Sequence, residues 1–137
     1  MRDLGLPAGW APRLLSLLRI VSGLVFMHHG TQKHLGFPPM AEGMTRPAPF
    51  SLMWVGGLLE MVGGALVLIG LFTRPVAFLL AGEMAVAYWM FHAPSGPFPA
   101  LNGGDAAILY CFVFLYISAA GPGPWSLDAR LDPAARR

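Results

Sequence analysis

The sequence predicts an all-α polytopic membrane protein, a bundle of four transmembrane helices with both termini cytoplasmic. Three observations predict it: scarce charge, four apolar runs of spanning length, and helix start and stop signals between those runs. Only 12% of the residues are charged while 55% are hydrophobic, with 17 glycines besides. An average soluble domain carries roughly 25% charged residues. The chain is long enough for one soluble domain but lacks the residues to give one a charged surface.

A span needs roughly 20 mostly apolar residues. Segments of about 13–31, 50–71, 74–92 and 103–120 meet that requirement if a few polar residues are tolerated. They make residues 1–137 a single membrane domain with a cytoplasmic tail over 121–137. The first run is long, contains Arg19 and lacks a small-x-small cleavage pattern, so it reads as a retained helix rather than a signal peptide.

Pro12 is expected just before the first helix and Pro75 in the first turn of the third. Thr73 is the expected N-cap of the third helix, and Asn102 with Asp105 the capping box of the fourth. The Gly121-Pro122-Gly123-Pro124 run stops the fourth. The very short turn near Phe72 makes the second and third helices antiparallel neighbours.

The net charge of +2 is too small and too scattered for a nucleic-acid surface and reads instead as a topology signal. Arg2, Arg13, Arg74, Arg130, Arg136 and Arg137 fall on one side, Lys33 and Arg46 on the other. The side richer in arginine is expected inside. Trp10 and Trp125 then lie at the inner interface, Trp54 and Trp89 near the outer one. The one cysteine, Cys111, excludes a disulfide within the chain and a Cys-x-x-Cys redox pair; it reads as an apolar packing residue.

The residues that bear on chemistry are Arg19, Glu60 and Glu83, each inside a predicted span. An isolated charge there costs about 2.5–3.5 kcal/mol on insertion scales. The spacing predicts that all three meet at one depth. They would form either a structural ion-pair clamp or a centre that handles protons or binds a ligand. In the second case Glu60 and Glu83 are the candidate catalytic groups. Two acids and one arginine do not balance, so either one glutamate stays protonated or another cation joins them. Gly56, Glu60 and Gly64 share a helix face, where glycines either let another helix approach or clear space for a flat ligand.

A second polar group is expected at the outer mouth, formed by His28, His29, Gln32, Lys33, His34, His92, Asn102 and Asp105. It reads either as interfacial residues closing helix ends or as a polar pocket feeding the buried centre. In the second reading Arg19, His29, Lys33, His92 and Asn102 are the candidate substrate-binding residues. No spacing supports a metal site. Haem would need two facing axial ligands; His29 and His92 could be posed that way, but nothing else in the sequence supports haem.

Four stretches together resemble the DoxX family of small bacterial four-helix membrane proteins. They are LLRIVSGLVFMHHGTQKHLGFP, GGLLEMVGGALVLIGLFTRPVA, AGEMAVAYWMFHAPSGPFPALNGGD and YCFVFLYISAAGPGPWSLD. The resemblance runs from about Leu14 to Asp128. The positions matching the family's polar residues are Arg19, His29, Gly30, Lys33, Glu60, Arg74, Glu83, His92, Asn102, Gly103 and Gly104, with Asp105 departing from an expected Glu.

The resemblance implies a multi-pass protein of the bacterial inner membrane. Through the related DoxD, it also implies kinship to the membrane subunit of a thiosulfate:quinone oxidoreductase. The expected function is therefore a membrane subunit of a redox system, binding a quinone-like or small anionic substrate and working with a soluble or membrane partner. Two alternatives stand beside it: a non-catalytic scaffold that recruits a soluble redox or oxidative-stress enzyme, and transport of a small anion or proton. The glycine-rich helix faces leave room for a homo-oligomer.

Overall fold

The computed structural model describes residue 7 and residues 9–132. Of the arginines used for topology, Arg2, Arg136 and Arg137 lie outside the described residues, as does the tail from 133 onward. The described chain is helical, and its order is α1 (Trp10–Leu35), α2 (Leu52–Ile69), α3 (Thr73–Ala87), α4 (Pro99–Asn102), α5 (Asp105–Ala120) and α6 (Asp128–Leu131). A π-helical turn, Tyr88–His92, and a 3-10 turn, Ala93–Ser95, extend α3. Pro94 has no N–H to give the carbonyl one turn back, so the regular ladder stops there.

With those turns, α1, α2 and Thr73–Ser95 are each long and apolar enough to cross a membrane. The fourth apolar helix, α5, has 16 residues and spans about 24 Å at 1.5 Å per residue. Large apolar side chains point outward throughout: Phe78, Leu109 and Phe112 are each about two-thirds exposed. Such a surface suits hydrocarbon, and the helices satisfy their own backbone groups as a bilayer requires.

The helix limits differ from those expected. The first helix begins at Trp10 and ends at Leu35, so Pro12 lies inside its first turn and Lys33 inside its last. Pro12 is tolerated because the first N–H groups of a helix have no partner within it. Asn102 closes α4 instead of capping α5, whose N-cap is Gly104.

Glycines set the packing of α1 on α2. A Cβ on Gly30 would lie 2.3 Å from the Met61 nitrogen and 2.5 Å from the Gly57 oxygen. A Cβ on Gly23 would lie 2.6 Å from the Leu68 nitrogen, and one on Gly64 would lie 2.8 Å from the Met27 backbone. The two helices therefore touch backbone to backbone, and the contact fixes their register. Gly30→Ala is expected to destabilise the protein by about 1–3 kcal/mol, because backbone cannot yield to an added methyl. Gly82, with open space around its Cα, is the control position. Thermal unfolding of the two variants in detergent checks this expectation.

On the other side, α3 packs mainly on α5. Leu80, Ala77 and Met84 meet Phe114, Ile117 and Ala107 in the core, with Phe26 of α1 reaching in. The Phe26 ring lies 4.8 Å from Phe114, edge to face, and 5.0 Å from Tyr110.

The segment after α5 is not a free tail over its described part. Gly121, Pro122 and Gly123 are buried, and Leu127 and Asp128 donate to the Ile69 and Gly70 carbonyls at 3.1 and 2.8 Å. Asp128 also replaces the expected Thr73 cap. Its carboxylate accepts from the Phe72 and Thr73 N–H groups, both at 2.9 Å. Phe72, at φ 51, sits in the left-handed region that a bulky residue rarely adopts. The two bonds to Asp128 hold it there and satisfy the start of α3. Gly70, also left-handed, ends α2 by donating to Leu66.

Candidate functional site

The register of α1 against α2 decides which charges meet. Gly30 lies against Gly57 and Met61, so Glu60 stands level with the last turns of α1. Arg19 is therefore roughly 16 Å away along the helix axis at about 1.5 Å per residue. Lys33 comes into the site instead. Its Nζ donates to both carboxylate oxygens of Glu60 at 2.7 Å. The pair is largely withdrawn from solvent, with side-chain exposures of 20% for Lys33 and 7% for Glu60. Gly57 makes room for it, since a Cβ there would meet the Lys33 side chain at 2.9 Å and His34 Nε2 at 3.1 Å.

Glu83, on α3, is the third member. It lies within electrostatic range of both Glu60 and Lys33. Its Oε1 sits 3.2 Å from the position a Cβ on Gly56 would take, so the missing side chain of Gly56 is what admits the carboxyl between α2 and α3. Its Oε2 is buried and has no hydrogen-bond partner among the described residues. An orphaned buried carboxyl oxygen is uncommon and costly. The glycines of α2 thus divide by face: Gly57 and Gly64 admit α1, Gly63 receives Leu80, and Gly56 faces Glu83.

The expected Arg19–Glu60–Glu83 centre is therefore corrected to Lys33–Glu60–Glu83. Arg19 is fully buried elsewhere and bonded to four backbone carbonyls. Its guanidinium donates to Pro122 at 2.8 Å, to Val67 and Leu68 at 2.6 Å each, and to Trp125. Val67 and Leu68 lie in the last turn of α2, where carbonyls lack helical partners and a cation is favourable. Arg74 acts in the same way on α5, donating to Ser118 and Ala119.

The remaining predicted residues do not join the centre. His29 is exposed and meets Tyr110 edge-on, with ring centroids 6.2 Å apart. His92 pairs with the Asn102 carbonyl at 3.2 Å, and Asn102 in turn bonds Gly96 and Gly104. These contacts order the α3–α5 connection, so His92 and Asn102 are accounted for as loop-holding groups. No cluster of three metal-ligating side chains occurs among the described residues.

Sequence reasoning missed the adjacency of His34 to the site. His34 Nε2 lies 3.0 Å from the Trp54 carbonyl, and its ring meets Trp54 edge to face. The signal that could have located the centre is the seven-residue spacing of Gly23 with Gly30 and of Gly57 with Gly64. Matching those pairs antiparallel sets Glu60 level with position 27, nearer to Lys33 than to Arg19.

Comparison with known proteins agrees with this architecture. The DoxX family profile matches residues 14–93, more than half of the chain. This chain belongs to the DoxX family. A Haemophilus influenzae protein described as uncharacterized is 43% identical over 122 residues, covering 87% of this chain and 91% of that protein. An uncharacterized membrane protein of Mycobacterium tuberculosis is 34% identical, covering 90% and 85%. The inner membrane protein YphA of Escherichia coli is 31% identical, covering 87% and 91%. No solved structure matches the chain. With its apolar spanning helices, this DoxX-family chain is a multi-pass protein of the bacterial inner membrane.

Proposed function

We propose that this DoxX-family protein is the membrane subunit of a redox system, binding a quinone-like headgroup at the Lys33–Glu60–Glu83 centre. The observation that carries the reading is the Glu83 carboxyl, buried with Oε2 unpartnered beside an ion pair that is already made. Two carboxylates and one ammonium leave an excess negative charge. That balance favours a neutral hydrogen-bonding ligand over a small anion. A proton on Glu83 would neutralise the centre and let the carboxyl donate to a ligand carbonyl. Lys33 has a third N–H beyond the two committed to Glu60.

When bound, a quinone supplies the ring that accepts electrons. The residues of this chain hold and orient it, and Glu83 gives or takes the proton that accompanies reduction or oxidation. Because Cys111 is the chain's one thiol, the electrons come from a partner. Both termini are placed in the cytoplasm in this reading. The support is the gathering of Arg13, Arg74 and Arg130 at the bundle end that carries them.

Lipid extraction of the purified protein tests the reading. The wild type should retain quinone, and Glu83→Leu, which has no donor, should retain about tenfold less, the upper end of the net worth of one neutral hydrogen bond. Absence of quinone from the wild type overturns the proposal. If a soluble protein co-purifies instead, and does so equally with Glu83→Leu, the scaffold reading replaces it.

A further inference from the structure

The α1–α5 side of the bundle is the one that packing leaves open. Near its aromatic end Phe26 closes it against Tyr110 and Phe114. Toward the chain termini a groove of about 530 Å³ lies between Leu14, Leu17, Leu18 and Val21 of α1 and Tyr116 of α5. Those four α1 residues form one continuous stripe, spaced i, i+3, i+4 and i+7. Each is 37–50% exposed. The groove continues through Leu14 and Leu17 into a second cleft of about 480 Å³, whose other walls are Trp10, Arg13 and Trp125. Both volumes fall in the roughly 300–1,000 Å³ range of ligand clefts.

The two halves differ in chemistry. The half along the Leu14–Val21 stripe is an open apolar groove and runs about 10 Å along α1 at 1.5 Å per residue. The mouth holds one cation between two indoles. Arg13 is exposed and has no ion pair or hydrogen bond among the described residues. Of the other arginines of this end, Arg19 is committed to backbone carbonyls and Arg74 to the end of α5, while Arg130 does not line the groove. Trp10 and Trp125, 43% and 55% exposed, have the amphipathic character that places tryptophan at headgroup level. An unspent guanidinium at that level, above an apolar channel open to the bilayer, matches a phosphodiester with its acyl chains attached.

We propose that this groove is a binding site for an anionic phospholipid, with its phosphate on Arg13 between Trp10 and Trp125 and an acyl chain along the Leu14–Val21 stripe. The site is separate from the Lys33–Glu60–Glu83 centre, which lies at the other end of α1. A net-anionic headgroup is preferred over a zwitterionic one because the groove mouth offers a positive charge with no acidic side chain lining it among the described residues.

Native mass spectrometry of the full-length protein tests the site, using phosphatidylglycerol and phosphatidylethanolamine with identical acyl chains. The wild type should retain phosphatidylglycerol about fivefold better, as expected for one arginine near an anionic headgroup. Arg13→Gln should bring the two lipids to parity without changing the melting temperature. Leu17→Trp, which fills the channel, should lower retention of both. Inorganic phosphate should not displace the lipid. Three results would overturn the proposal: an unchanged lipid ratio in Arg13→Gln, displacement by phosphate alone, or a Leu17→Trp variant that alters dimer content while lipid retention stays constant. The last would make the groove a contact between two copies of the chain.

Discussion

Replacing Arg19 with methionine is expected to cost about 2–4 kcal/mol, because several buried carbonyls lose their donor at about 1–3 kcal/mol for each one left unsatisfied. The guanidinium serves carbonyls from two places at once, Val67 and Leu68 at the end of α2 and Pro122 and Trp125 in the segment after α5. Methionine fills part of the volume and supplies no donor, so those acceptors lose their partners inside the bundle. The strap over residues 121–131 then loses one of its anchors. Thermal unfolding in detergent reads the stability, and limited proteolysis beyond Ala120 reads release of the strap. Arg19→Lys should recover only part of the loss, since an ammonium cannot reach several carbonyls in the planar, forked geometry of a guanidinium. Adding Glu60→Met to Arg19→Met should be additive, because the two sites share no partner and lie more than about 10 Å apart. Rescue in that double variant would mean that Arg19 and Glu60 are paired after all.

Lys33 and Glu60 should behave in the opposite way. Each single methionine variant leaves one charged group without its counterion at the end of a helix bundle. A cost of about 2–4 kcal/mol is expected, below the fully buried range because Lys33 keeps 20% side-chain exposure. The Lys33→Met,Glu60→Met double variant should fall within about 1 kcal/mol of the wild type, as apolar replacements of an ion pair often do. A thermodynamic cycle over the four proteins gives the coupling directly. The same proteins separate structure from function. If the stable double variant also loses bound quinone, the pair belongs to a ligand site. If it keeps the ligand, the pair is a clamp and Glu83 stands alone.

Much of the architecture was legible because hydropathy is a local property. The runs around residues 13–31, 50–71 and 74–92 each overlap a helix long and apolar enough to cross a membrane. The Gly121–Pro124 stop signal marks the observed end of α5 at Ala120. Capping was less legible. Thr73 looks like an N-cap by residue type, yet the acceptor used is Asp128, far along the chain. A capping group supplied by another segment leaves no trace in the local pattern. Asn102 was drawn into a connection whose shape depends on Gly96 and Gly104 rather than on the helix it precedes.

The sequence by itself determined that this chain is an α-helical membrane protein, that Arg19, Glu60 and Glu83 lie within apolar helices, and that it is related to DoxX. Only the tertiary structure decided which charges are neighbours. Depth estimated from helix midpoints cannot see the backbone contacts of Gly30 with Gly57 and Met61, which set α1 against α2. Register between helices is fixed by steric contact across the interface, and in this bundle it delivers Lys33 to Glu60 and gives Arg19 to the carbonyls of α2 and the segment after α5.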